Sequence, residues 1–285
     1  MKAAYTKTAS LFRLFKEALN GSEQDFTSGN INKAIFLLAI PMIVEMGMES
    51  IFAVVDIFFV SQLSNSHAVA AVGYTESVLS ILYSLAMGLG MGATAIVARR
   101  VGEHDKEGAS RAAVQAIYLG LGVSFTISMI GIFFYEDILR LMGASDDVIT
   151  SSSSYAFWMF AGNYTVTLLF LINAIFRGAG NAAIAMKALL LANVLNMILD
   201  PIFIFGWGPI PAMGVEGAAI ATNIGRGIGV IFQLYFLLNG LSIIKIRWNN
   251  LGLKSAIIFN VIKVSGGSIL QFIIGSARWI FLLKL

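Results

Sequence analysis

The chain has 285 residues, 58% of them hydrophobic and 12% charged, with a formal net charge of +3 and no cysteine. A charged share of about half the usual value excludes a water-soluble globule of this size, whose surface must stay largely polar. The absence of cysteine excludes disulfides and thiolate metal sites, and the small positive charge carries no nucleic-acid signature.

Residues 1–28 form a polar arm. Its amphipathic stretch, Leu11 to Lys16, is too short and too charged for a secretory signal and reads as a cytoplasmic segment with its apolar side on the membrane surface. Apolar runs follow at 33–61, 67–98, 110–135, 151–176, 184–207 and 214–239, with a seventh from 255 to 285. Each is long enough to cross a hydrocarbon core of about 30 Å as a helix, and none alternates as a barrel strand would. Gly88-Leu89-Gly90-Met91-Gly92 makes the second run the least regular, while packing closely through small residues, as does Gly214 to Ala221. Pro41 and Pro201 interrupt the first and fifth runs, and Ser151–Ser154 are expected to cap the fourth. His67 and His104 fall in loops with no metal-ligand spacing around them.

Basic residues set the orientation. Lys2, Lys7, Arg13, Lys16 and Lys33 precede or open the first run; Arg99, Arg100, Lys106 and Arg111 follow the second. Arg177 and Lys187 follow the fourth, and Lys245, Arg247 and Lys254 the sixth, whereas 62–66 and 208–213 hold no Lys or Arg and 136–150 only Arg140. The expectation is an all-α polytopic protein of the cell's inner membrane, N-terminus cytoplasmic. It comprises an arm at 1–28, a six-helix lobe at 29–240, a cytoplasmic linker at 241–254 and the first helix of a second lobe at 255–285. Because that last run contains Arg278 and Lys284 and stops at Leu285 without a tail, it reads as truncated, with a partner lobe missing.

Ionisable and amide side chains inside apolar runs are costly, which makes them the first candidates for function. In the first run Glu45, Glu49 and Asp56 are spaced by four and seven; in the fifth Asn193, Asn196 and Asp200 are spaced by three and four. Each set therefore shares one helix face. In the sixth run Thr222 and Arg226 share a face, with Asn223 beside them. Counting turns from the outer ends brings Asp56, Asp200 and Thr222 to one level, with Asn196 a turn deeper. All four offer hard oxygens, suited to Na⁺, or to a proton held between two carboxylates in low dielectric. Pro201 leaves the carbonyl of Met197 without its helical donor. Asn193, Asn223 and Glu45 read as helix-to-helix hydrogen bonds. No nucleophile–base pair or metal cluster suggests an enzyme, and the only cofactor-like species is the coupling ion.

The ordered stretches IPMIVEMGMESIFAVVDIFFVSQL, MGLGMGATAIVARRVGEHDKEGASRA, FRGAGNAAIAMK, NVLNMILDPIFIFG and GVEGAAIAT, between Asn30 and Gly240, resemble the multidrug and toxic compound extrusion (MATE) family of the MOP superfamily. That resemblance implies the N-terminal lobe of a 12-helix exporter that alternates between inward- and outward-facing states. Drugs or toxins would leave against Na⁺ or H⁺. It carries the coupling role over to Asp56, Asn196, Asp200 and Thr222, and a substrate-cavity role to Tyr155 and Asn173. Glu49 takes a cavity-facing position as an extra carboxylate expected to favour cationic drugs, and Met46 belongs to an adaptable apolar lining. A lipid-linked oligosaccharide flippase of the same superfamily would need a cationic cavity, whereas these stripes are acidic apart from Arg226. A non-transporting scaffold would have no reason to align Asp56 with Asp200.

Overall fold

A computed structural model describes residues 13–21, 30–63 and 66–283. The helices are α1 (Ile31–Ser61), α2 (Ser66–Gly102), α3 (Lys106–Leu141), α4 (Asp146–Ala161), α5 (Asn163–Gly178), α6 (Ala182–Phe205), α7 (Val215–Asn239) and α8 (Ser255–Leu283). Six described helices are long and apolar enough to cross a membrane, and α4 with α5, bent by 46°, supply a seventh crossing as a broken pair. Leu11, Phe12 and Lys284 lie outside the described residues, as does the side chain of Arg278.

Several helix ends follow from local chemistry. Asn30 accepts a bond from the Asn32 amide at 2.9 Å and Asp105 one from the Gly108 amide at 2.7 Å, each satisfying an orphan donor of the first turn. Asn181 does the same for α6 through the Ile184 amide. At the other end of α7, Gly240 sits at φ 69°, the left-handed cap conformation that glycine adopts without steric cost.

Four expectations are corrected. The turn between α2 and α3 is only three residues long, so Arg99, Arg100, Lys106 and Arg111 lie on helices, held by short-range pairs such as Arg99–Glu103 at 2.8 Å and Arg111–Glu107. The fourth run starts at Asp146, with Ser145 at the N-cap, so Ser151–Ser154 are interior to α4 rather than capping it. The glycine-rich α2 is continuous, and irregularity falls instead at Phe134 in α3 and at Gly162 between α4 and α5. His67 belongs to the first turn of α2, not to a loop.

The core sits around α5, whose Leu169, Ile172, Ile175 and Phe176 are fully enclosed with Val97, Ala113, Ala185 and Leu189 from three neighbouring helices. A second cluster joins Val60, Leu79, Leu139, Tyr155, Phe160, Ile204 and Ala218. α1 and α8 are the peripheral helices, exposing Ile43, Met46, Phe259 and Ile274. α8 lies on α2 along small residues: Gly88 faces Ile269, Gly92 faces Ser265, and the Ser84 and Ser276 hydroxyls meet at 2.6 Å. The segment before α8 is tied to α3, because Gln115 donates to the Gly252 carbonyl at 3.0 Å and accepts from the Lys254 amide at 2.8 Å. The N-terminal residues 13–20 are helical and dock on the bundle rather than standing apart. Ala18 is buried, Glu17 pairs with Lys33 at 2.9 Å, and Lys187 donates to the Asn20 carbonyl at 2.8 Å.

Candidate coupling site and polar cavity wall

α6 and α7 approach closely because α7 turns glycines toward its neighbour. A Cβ on Gly217 would meet the Phe203 backbone at 2.5 Å, and one on Gly225 the Ala192 carbonyl at 2.7 Å. This contact places Thr222 against Asn196. The Asn196 amide donates to Asp200 Oδ1 and to Thr222 Oγ1, both at 3.1 Å. Asp200 is fully buried, Asn196 and Thr222 nearly so, and Asp56 on α1 is 9% exposed. Asp56 stands close enough for its charge to act on Asp200. Three of the oxygens, Asp56 Oδ1, Asn196 Oδ1 and Asp200 Oδ2, are buried without a hydrogen-bond partner.

An orphaned buried oxygen costs on the order of 1–3 kcal/mol, and more when it carries charge. A bound ion or an ordered water answers such groups. Two carboxylates, an amide oxygen and a hydroxyl make a hard donor set that suits Na⁺, and the same carboxylates can instead hold a proton. Among the described residues no three His, Cys, Asp or Glu side chains group as a metal site, so any bound ion would rely on the amide and hydroxyl oxygens as well.

The other polar side chains resolve differently. Arg226, 5% exposed, forms a two-pronged pair with Glu49 at 2.7 and 3.1 Å, and its guanidinium lies over Phe52 at 4.9 Å and Phe170 at 5.6 Å. Asn193 adds a third bond to Glu49 at 3.3 Å. The expectation that Glu49 is a spare carboxylate for cationic drugs is therefore corrected: a geometrically matched cation already neutralises it. Glu45 pairs with Arg177 at 3.0 Å, and Arg177 belongs to the last turn of α5 rather than to a loop. Asn173 is fully buried and accepts from Gln233 of α7, a helix-to-helix contact within this lobe. Met46 is exposed on α1, and Asn223 donates to the Trp158 carbonyl at 2.7 Å, filling the space that Gly162 leaves open.

Tyr155, buried on α4, donates its hydroxyl to Glu76 on α2 at 3.3 Å. Glu76 is half-buried, and the charges of Asp56, Arg226 and Glu49 all act on it. Sequence reasoning missed Glu76. The test that singled out the carboxylates of the first and fifth runs, an ionisable group inside an apolar stretch, would have found it in the second.

The MatE family model matches residues 41–202. The chain belongs to the MatE family. The relatives it resembles include the multidrug export protein MepA of Staphylococcus aureus MRSA252, 29% identical over 215 residues, covering 75% of this chain and 47% of that protein. A protein of Shewanella oneidensis MR-1 described as an FAD transporter is 29% identical over 211 residues, covering 74% of this chain and 46% of its own length. Among solved structures, a MOP superfamily transporter from Pyrococcus furiosus superposes with a TM-score of 0.82 at 33% identity, over 90% of this chain and 56% of that one. An inward-facing multidrug resistance MATE transporter superposes with a TM-score of 0.74 at 31% identity, over 84% and 56%. This MatE chain is thus a multi-pass membrane protein with a transporter fold, and it spans about half the length of the curated relatives it matches.

Proposed function

We propose that this chain supplies the N-terminal half of a secondary multidrug exporter that extrudes small organic compounds in exchange for Na⁺ or H⁺. Asp56, Asn196, Asp200 and Thr222 hold the coupling ion, the N-terminus faces the cytoplasm of an inner membrane, and a second lobe completes the substrate path. The carrying observation is the set of three unpartnered buried oxygens, those of Asn196 and Asp200 beside the Asn196 amide and that of Asp56, whose charge acts on Asp200. Helix packing alone has no use for two neighbouring carboxylates with open valences, whereas an ion that binds and leaves needs them. A flippase reading is not favoured, because Arg226, the cation a diphosphate would seek here, is taken by Glu49.

In the full product of the gene, Asp56→Asn and Asp200→Asn are each expected to reduce ethidium efflux from cells to the background of an empty vector, with membrane-embedded protein unchanged on immunoblot. Wild-type efflux in both variants sinks the site assignment. Separately imposed Na⁺ and H⁺ gradients in proteoliposomes decide the ion.

A further inference from the structure

The polar wall of the lobe carries four carboxylates, Glu49, Asp56, Glu76 and Asp200, against the single guanidinium of Arg226 among the described residues near them. Glu49 is consumed by Arg226. Asp56 and Asp200 have open oxygens suited to a small ion. Among the described residues Glu76 has no cationic partner of its own, since its only hydrogen bond there is the one it accepts from the neutral Tyr155 hydroxyl. It is also the carboxylate set among aromatic rings. Tyr83 lies two turns along the same helix and feels the Glu76 charge, Tyr83 packs at 6.4 Å on Phe170, and Tyr155 closes the other side. Glu76, Tyr83, Phe170 and Phe52 each keep some exposure, unlike the enclosed Asp200.

We infer that Glu76 is the charge-selecting residue of the substrate cavity, receiving the cationic group of an organic substrate beside the rings of Tyr83 and Tyr155. The inference rests on the export reading above. Its chemistry is that of an unneutralised carboxylate in a low-dielectric aromatic setting, where a diffuse organic cation gains from the charge and from the ring faces together. Tyr155 is then a positioning residue, fixing one carboxyl oxygen by its hydroxyl while the other is free to face the substrate. Arg226, held on Glu49, keeps that carboxylate from competing.

The test compares two probes of similar size, the permanent cation tetraphenylphosphonium and uncharged triphenylphosphine oxide, binding to the purified full-length protein by equilibrium dialysis. Glu76→Gln is expected to lower the ratio of cation to neutral affinity by about tenfold or more. Glu76→Asp, which keeps the charge on a shorter arm, is expected to retain most of that ratio, and it serves as the second variant should the amide fold poorly. An unchanged ratio in Glu76→Gln, or an equal loss for both probes, overturns the assignment. If the wild type binds neither probe, the export reading fails and this inference falls with it. If the wild type binds both and only the ratio in Glu76→Gln is unmoved, the export reading stands and Glu76 alone is wrong.

Discussion

The Glu49–Arg226 pair illustrates how much a single contact decides in a low-dielectric bundle. Removing Arg226 alone leaves Glu49 partly buried with only the Asn193 amide as partner, whereas removing both charges leaves nothing unpaired. Glu49 retains some exposure, which moderates the cost. Arg226→Met is expected to destabilise the lobe by about 2 kcal/mol, and Glu49→Gln combined with Arg226→Met by clearly less than the two single changes added together. Thermal unfolding of the four proteins in detergent checks this, and strict additivity would show the pair to be uncoupled. The positions of both residues were visible in the sequence as ionisable groups in apolar runs. Their partnership was not, because it joins α1 to α7 across 177 positions and depends on how those helices rotate. The same holds for Glu45 with Arg177. By contrast, Asn196 and Asp200 are a turn apart on one helix, so their shared face followed from spacing alone.

Between helices, glycine placement controls how deeply one element enters another. Gly225 has the Ala192 carbonyl 2.7 Å and Asn196 Cβ 3.3 Å from where its own Cβ would stand, so a methyl group there pushes α7 away from the residue that organises the site. Gly225→Ala is expected to cost about 1–3 kcal/mol and to abolish coupled export by parting Thr222 from Asn196. Gly227→Ala is the control, since its Cβ would meet only Thr165 at an ordinary 3.8 Å. Efflux and unfolding of both variants, read together, separate a packing effect from a site effect. Equal behaviour of the two would refute the argument. Composition could mark both α2 and α7 as small-residue helices. It could not say that α2 uses its glycines to seat α8 without bending, nor that the real break would fall at Gly162, where Asn223 of a distant helix occupies the space of a missing side chain.

For the whole molecule, hydrophobic length made the number of crossings legible before any fold was known, and loop charge gave the N-in orientation proposed above. The boundaries were less so, because charged i,i+4 pairs let α2 and α3 run past the apolar stretch to the ends of the loop. These 285 residues contain no cysteine, so single cysteines placed among them make the orientation directly measurable. With Gly208→Cys in the turn after α6 and Trp248→Cys in the turn before α8, a membrane-impermeant maleimide is expected to label the first in intact cells. The second should react only after permeabilisation. The reverse pattern would invert the topology and place the Asp56 level in the inner leaflet.

The break at Gly162 also bears on how the lobe is made. α4 and α5 have 16 residues each, which at helical rise is about 24 Å, short of a hydrocarbon core of about 30 Å. Neither half can settle across the bilayer as it leaves the insertion machinery. The two halves make one crossing together, and the bend between them is filled by Asn223 of α7, a helix synthesised well after it.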